Sequence, residues 1–196
     1  MAIHLEKITA TVDAYLLLHP DEREALAPLL AALGKGFDFT SRRRYPAHIT
    51  AGVVLLDGEG RMLQVHHRGL GRWVSPGGHC EPEDKSLTAT ALRELAEECG
   101  IASDEIEPVG GVDGIGGGAG GGEDALPIHI DVHPIPASDV KAEPAHRHFD
   151  FRFAFRTGAV VPQLTGRDAP VHRWHPVREL GDLALAARLG QLLESS

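Results

Sequence analysis

At 196 residues, with 42% hydrophobic and 24% charged side chains, the chain is long enough for one well-buried α/β domain with appendages and lacks the bias of a disordered one. A formal charge of −9 argues against gripping a nucleic-acid backbone, which needs clustered Lys and Arg, so no DNA binding is expected. Neither an apolar run near 18 residues nor a basic-plus-apolar leader is present, which predicts a soluble, cytoplasmic protein with no membrane partner.

Residues 3 to 36 are helical by period. Leu5, Ile8, Val12 and Leu16 share one face, and Asp21 followed by Glu24 reads as a cap before Leu26, Leu29, Leu30 and Leu33. Pro28 removes a hydrogen bond inside that second pattern, so two short pieces are the alternative. We expect residues 1–45 to be a helical extension packed on the core domain, 46–196, with a homodimer contact as its alternative role. Arg42, Arg43 and Arg44 form the basic cluster, either solvated surface or a means of steering an anionic substrate.

His48 to Leu56 alternates and then runs apolar, Asp57-Gly58-Glu59-Gly60 is turn chemistry, and Met62 to His66 answers it, which predicts a hairpin. A further strand around Trp73 leads into Pro76-Gly77-Gly78, where a bare backbone can turn sharply and come close to an ion or a phosphate. Ser86 is a natural N-cap. From Leu87 onward, Ala89, Leu92, Leu95, Ala96 and Cys99 recur at helical spacing, and Gly100 stands just past the end. Glu94, Glu97 and Glu98 then cluster on the opposite face, where like charges repel unless a cation offsets them. Oxygen ligands of this kind suit Mg2+, with Mn2+ as a substitute. A solvated helix face is the bland alternative. Cys80 and Cys99 read as reduced, buried thiols.

Gly78, five residues, an acid, a gap and then Arg93-Glu94-Leu95-Ala96-Glu97-Glu98-Cys99-Gly100-Ile101 resemble the Nudix box, G-x5-E-x7-R-E-U-x-E-E-x-G-U with U aliphatic. The second half matches at every specified position. In the first half the acid is Asp84 rather than Glu, and eight residues rather than seven separate it from Arg93. In the family the loop acid braces the loop and contributes to the metal site, a job expected here of Asp84, with Glu81 or Glu83 as deputies.

Beyond the box, Glu105 to Val112 reads as a strand and Gly114 to Gly122 as a glycine loop joining two strands, lacking the Lys-Ser or Lys-Thr pair of a phosphate-binding loop. In Pro127 to Val132, Ile128, Ile130 and Val132 face one way and His129, Asp131 and His133 the other. In His146 to Arg156, Phe149, Phe151, Phe153 and Phe155 oppose His148, Asp150 and Arg152. Side by side, these strands offer a polar face able to grip a phosphorylated substrate; a solvated outer face is the alternative, and a zinc site from His129, His133, His146 and His148 a third reading. Val171 to Trp174 is a last short strand, and Asp182 caps a helix through Leu183, Leu185, Leu189, Leu192 and Leu193.

The resemblance implies an α/β/α sandwich with a mixed sheet and the box helix against it. It also implies a metal-dependent pyrophosphohydrolase that cleaves a diphosphate linkage in a small, nucleotide-like substrate. Glu97 and Glu98 would hold Mg2+, Glu94 a second ion or the attacking water, and the Gly77 carbonyl would complete the shell. Arg93 steadies the carboxylates, while Asp131, His133, His148, Asp150 and Arg152 are the substrate-binding candidates. The general base is Glu94, Glu143 or the His148-Asp150 pair. A ligand-binding sensor or a diphosphate isomerase on the same fold is the alternative function.

Overall fold

The computed structural model describes residues 3–36, 38–67, 69, 71–109, 125–140, 142–158, 161 and 171–194. In chain order its elements are α1 (Leu5–Leu18), α2 (Ala27–Leu33), β1 (Ala47–Leu56), β2 (Arg61–His67), β3 (Arg72–Val74), β4 (Gly77–His79), α3 (Leu87–Cys99), β5 (Ile106–Pro108), β6 (His129–Ile135), β7 (His146–Thr157), β8 (His172–Pro176) and α4 (Leu183–Glu194). Gly114 to Gly122 and the end of the strand expected to Val112 lie outside the described residues.

All ten residues of β1 are buried, the condition of a strand with neighbours on both edges and layers on both faces. Along one edge it runs parallel to β7, pairing residues numbered 100 apart from Ala47 with Arg147 to Leu56 with Arg156. Along the other edge it pairs antiparallel with β4 at Thr50 to Gly52 and with β2 at Leu56. β7 in turn carries β6 and β5, both antiparallel, and β2 carries β3 and β8. The expected hairpin is therefore β1 and β2, and the two polar-faced strands are indeed neighbours.

Parity along β1 and β7 divides the layers. Ile49, Ala51, Val53 and Leu55, with Phe149, Phe151, Phe153 and Phe155, join one core that includes Ile8, Val12, Tyr15 and Leu29 of the first two helices and Ala91 and Leu95 of α3. Val54 and Leu56 point the other way, into a smaller core with Met62, Val177, Leu185 and Leu189, so α4 covers that end of the opposite face. The result is the expected α/β/α sandwich around a mixed sheet.

Several local expectations are corrected. Asp21 caps nothing on α2; it lies in a 3-10 turn, Pro20–Arg23, and α2 begins separately with Pro28 in its first turn, where no backbone N–H is needed. Tyr15, absent from the expected apolar face, is fully buried: its ring packs in the core while its hydroxyl meets Glu22 and the Arg188 guanidinium of α4. Asp182 caps α4 as expected, accepting from the Leu185 amide at 3.0 Å, and Leu183 begins the helix at an exposed position. Gly77 and Gly78 are not a turn but part of β4. Cβ atoms added at Gly52 and Gly77 would each fall 2.7 Å from the facing backbone, so only glycines allow this approach of β4 to β1. Among the described residues no helix is long and apolar enough to cross a membrane.

Candidate active site

Because β1, β7 and β6 run in fixed register, side chains of one parity form rows across the sheet. One row is His48, His148 and His133; the next is His79, Thr50, Asp150 and Asp131; the third is Gly77, Gly52, Arg152 and His129. Thr50 Oγ1 and Arg152 Nε both donate to Asp150 at 2.9 Å. Arg152 also lies 3.6 Å from Asp131 and 3.6 Å from Asp182. Burial pulls against the Arg152 charge, but the Asp150, Asp131 and Asp182 carboxylates outweigh it and raise its pKa. Asp131 is held below the usual carboxylate range chiefly by its hydrogen bond with His133, at 2.8 Å, against the effect of burial. His129 has the expected polar-face parity, in register with Arg152, but is buried there, with Nδ1 accepting from Arg188 at 3.1 Å.

The box helix supplies the wall. Ser86 caps it by accepting from the Ala89 amide at 3.0 Å, and Gly100, at φ 68°, closes it in the left-handed conformation that favours glycine. Glu94 and Glu98, one turn apart, face a cleft of about 440 Å³ together with Gly77, Gly78, His79, His133, His148, Asp150 and Arg152. A Cβ at Gly78 would sit 2.4 Å from a Glu94 carboxylate oxygen, so the glycine is what admits that side chain. The Gly77 amide donates to Glu98 at 3.0 Å; the contact to the box is through its N–H, whereas its carbonyl was the expected participant. Burial pushes Glu98 up to about 7, opposed by that amide and reinforced by Glu94 and Glu97; burial likewise raises Glu94, against Arg93. Glu97 stands apart. Its side chain is 57% exposed and 3.3 Å from Arg93, outside the cleft.

Arg93 is the hub of the wall, donating to Glu94 at 3.0 Å, to the His79 carbonyl at 2.8 Å and to both oxygens of Asp84. Asp84 is 6% exposed and also accepts from Thr90 and the Glu81 amide, so it braces the loop despite the extra residue. Burial alone would raise its pKa; the bonds from Arg93, the Glu81 amide and Thr90 lower it instead. Cys80 and Cys99 are buried and unpaired, their thiols pushed by burial up to about 11 and about 12.

The donor set fits a divalent cation. Two carboxylates converge on one cleft where burial disfavours their charge, and a cation beside them would offset that cost. Glu94 and Glu98 are the residues able to hold Mg2+ or Mn2+ at the cleft.

Beside the cleft, which only His148 of the three lines, His48, His146 and His148 converge, with ligand-capable nitrogens within 4.8 Å of one another. Of the four histidines considered for zinc, His146 and His148 meet, while His129 is engaged by Arg188 and His133 by Asp131. The reading missed His48, His79 and Thr50. The parity of His48, Thr50 and Gly52 on β1 was a usable signal for two of them.

The fold and site define a class: a sandwich whose box helix turns clustered glutamates toward a glycine strand in a polar cleft. A NUDIX domain model matches residues 46–195, and the chain belongs to the Nudix family. An RNA pyrophosphohydrolase of Dinoroseobacter shibae is 42% identical over 64 residues, which is 32% of this chain and 39% of that one. The chain thus matches about two fifths of the length of this curated relative. A NUDIX-family hydrolase of Clostridium perfringens has the same fold at 18% identity and TM-score 0.50, over 76% of this chain and 97% of that one. An Ap4A hydrolase of C. elegans, solved as a binary complex, gives 16% identity and TM-score 0.49 over 76% and 98%.

Proposed function

We propose that the chain is a metal-dependent pyrophosphohydrolase that cleaves the diphosphate linkage of a small, nucleoside-diphosphate-like substrate. The observation that carries this reading is the convergence of Glu94 and Glu98 on Gly77 and Gly78 inside a cleft floored by Thr50, Asp150 and Arg152.

Glu98 would hold the Mg2+ or Mn2+ ion directly, with Glu94 beside it toward a second ion or the attacking water and Glu97 at the rim of the same helix as an outer charge. Bound there, the ion would supply positive charge to the bridging phosphate oxygens and acidify the attacking water. Glu94 lines the cleft with Oε1 accepting from Arg93 at 3.0 Å, which favours it as the base that takes a proton from the attacking water. Glu143 is a weaker candidate because it lies 3.5 Å from Arg42, outside the cleft lining. Arg42 and Arg72 line the cleft and are suited to the substrate's phosphates. Arg152, tied to three carboxylates, orients Asp150 and balances the floor's charge.

Residues 1–45 are read as an extension of the 46–196 domain rather than a dimer contact, because the apolar faces of α1 and α2 are already covered by the chain's own core. The unpaired Cys80 and Cys99 accord with the reducing cytoplasm.

The test is a phosphate-release panel over nucleoside triphosphates, dinucleoside polyphosphates, sugar nucleotides, capped RNA ends and non-nucleotide diphosphates. We expect turnover of at least one class with Mg2+ or Mn2+ and none in EDTA. Silence on every class, in a folded protein, rejects the hydrolase and leaves a ligand-binding or isomerase role.

A further inference from the structure

Five imidazoles cluster beside the cleft, three of them, His79, His133 and His148, in its lining, and the carboxylate site of the box uses none of the five rings. Around His148, the ring centroids of His48, His146, His79 and His133 lie at 4.7, 5.1, 5.2 and 5.6 Å.

Their hydrogen bonds fix which nitrogens face inward. His48 Nδ1 lies 3.1 Å from the Arg44 carbonyl and His146 Nδ1 2.7 Å from the Pro144 carbonyl. A carbonyl oxygen only accepts, so each Nδ1 carries the proton, and a neutral ring then bares its lone pair at Nε2. Those lone pairs point into the cluster, each accepting from a neighbouring imidazole whose proton an ion would displace: His48 Nε2 accepts from His79 Nε2 at 3.1 Å, and His146 Nε2 from His148 Nε2 at 3.2 Å. A backbone carbonyl on the outer nitrogen and an inward lone pair on the other is the support that metal-bound histidines have.

The spacing agrees. A tetrahedral ion with metal–nitrogen bonds of roughly 2.0–2.1 Å sets its ligand atoms about 3.3 Å apart. The His48, His146 and His148 nitrogens lie within 4.8 Å of one another, so the widest pair would have to close by about 1.5 Å to share one ion. Imidazoles select zinc and its first-row neighbours, while Mg2+ takes oxygen. Tyr45 packs edge-on against His48 and His146 from outside.

We propose that His48, His146 and His148 form a three-histidine binding site for a Zn2+-class transition-metal ion, separate from the carboxylate site of the box, with His79 in contact with His48 at its edge. Such an ion ties β1 and β7 together and fixes His148, which lines the cleft, in one orientation.

The test uses the tag-free full chain, stripped with EDTA and returned to millimolar Mg2+ so that the carboxylates are occupied by a hard ion. Zn2+ is titrated by calorimetry, and Co2+ is added as a coloured probe. We expect one equivalent of Zn2+, a melting temperature raised by several degrees, and visible d–d absorption from Co2+. His146→Gln and the double variant His48→Gln/His146→Gln should lose that equivalent, while Glu98→Gln keeps it. If the double variant fails to fold, the parent titration and His146→Gln decide alone. No uptake of Zn2+ over the Mg2+ background overturns the site. So does uptake that Glu98→Gln abolishes and the histidine variants leave intact.

Discussion

Arg93 locks the loop of the box onto its helix through Asp84, donating to the two carboxylate oxygens at 3.2 and 3.1 Å. Asp84→Asn weakens a buried, charge-assisted pair, so the chain should lose about 2–3 kcal/mol of stability, read as a lower denaturant midpoint, together with turnover. Glu81→Gln and Glu83→Gln, at exposed positions, should change both far less. The reverse ranking would show that the loop is braced from elsewhere.

Removing charge from the cleft should separate the three glutamates. Glu94→Gln and Glu98→Gln should each lower kcat by a hundredfold or more, on the order of ~3 kcal/mol, while Glu97→Gln, outside the cleft, costs under tenfold. In EDTA the first two variants should melt no lower than the parent, since each removes a buried carboxylate that repels its neighbour. Clear destabilisation of both would assign them a structural role.

The glycines of β4 should divide stability from activity. At Gly78 an added methyl meets the Glu94 carboxylate, pinned by Arg93, rather than backbone, so Gly78→Ala should lower the melting temperature less than Gly77→Ala and sharply reduce turnover. At Gly77 the methyl meets Gly52 Cα at 2.7 Å and the Ala51 carbonyl at 2.8 Å, both backbone, so Gly77→Ala should lower the melting temperature clearly. Equal melting curves for the two variants would mean that β4 yields more easily than its packing implies.

Stability should fall on mild acidification, in part through His129. Burial depresses its pKa from 6.5, the nearby Arg152 adds to this, and Arg188 donates to the nitrogen that a proton would need. Above 6.5 the ring is neutral in both states and contributes no slope. Below it the unfolded chain binds a proton that the native one refuses, so stability drops with pH, by at most about 1.4 kcal/mol per unit for this group, until the lower native value is reached. His129→Gln can still accept from Arg188 without titrating, so its stability curve from pH 7 to 5 should be shallower than the parent's. Parallel curves would remove His129 from the acid response.

Much of this was written locally. The box helix is legible because period, cap and C-terminal glycine agree within one stretch, and the β6 and β7 faces because alternation survives the choice of partner. What was not legible is what depends on partners distant in sequence. His48 belongs to a run that reads only as strand until the β7 register sets it beside His148. Tyr15 stands outside the face marked by Leu5, Ile8, Val12 and Leu16, and its polar end is explained by Glu22 together with Arg188 from the other end of the chain. Gly77 and Gly78 were read as a turn because local chemistry does not announce that a second strand lies against them. Glu97 fits the box as well as Glu98 does, and only the direction of the helix relative to β4 distinguishes them.

The parallel pairing of β1 and β7 also sets the order in which the chain can fold. β1 is the most buried strand, yet its long partner lies 100 positions later, so the contact requires closing a long loop, a slow step by the rule that distant contacts retard folding. On a ribosome adding roughly 5–20 residues per second, β1 waits about 5–20 s for β7. During that interval its apolar side chains have β2, β4, α3 and the first two helices to pack on but lack the phenylalanines and the paired edge of β7, which makes the newborn chain most open to chaperones and self-association just before β7 emerges.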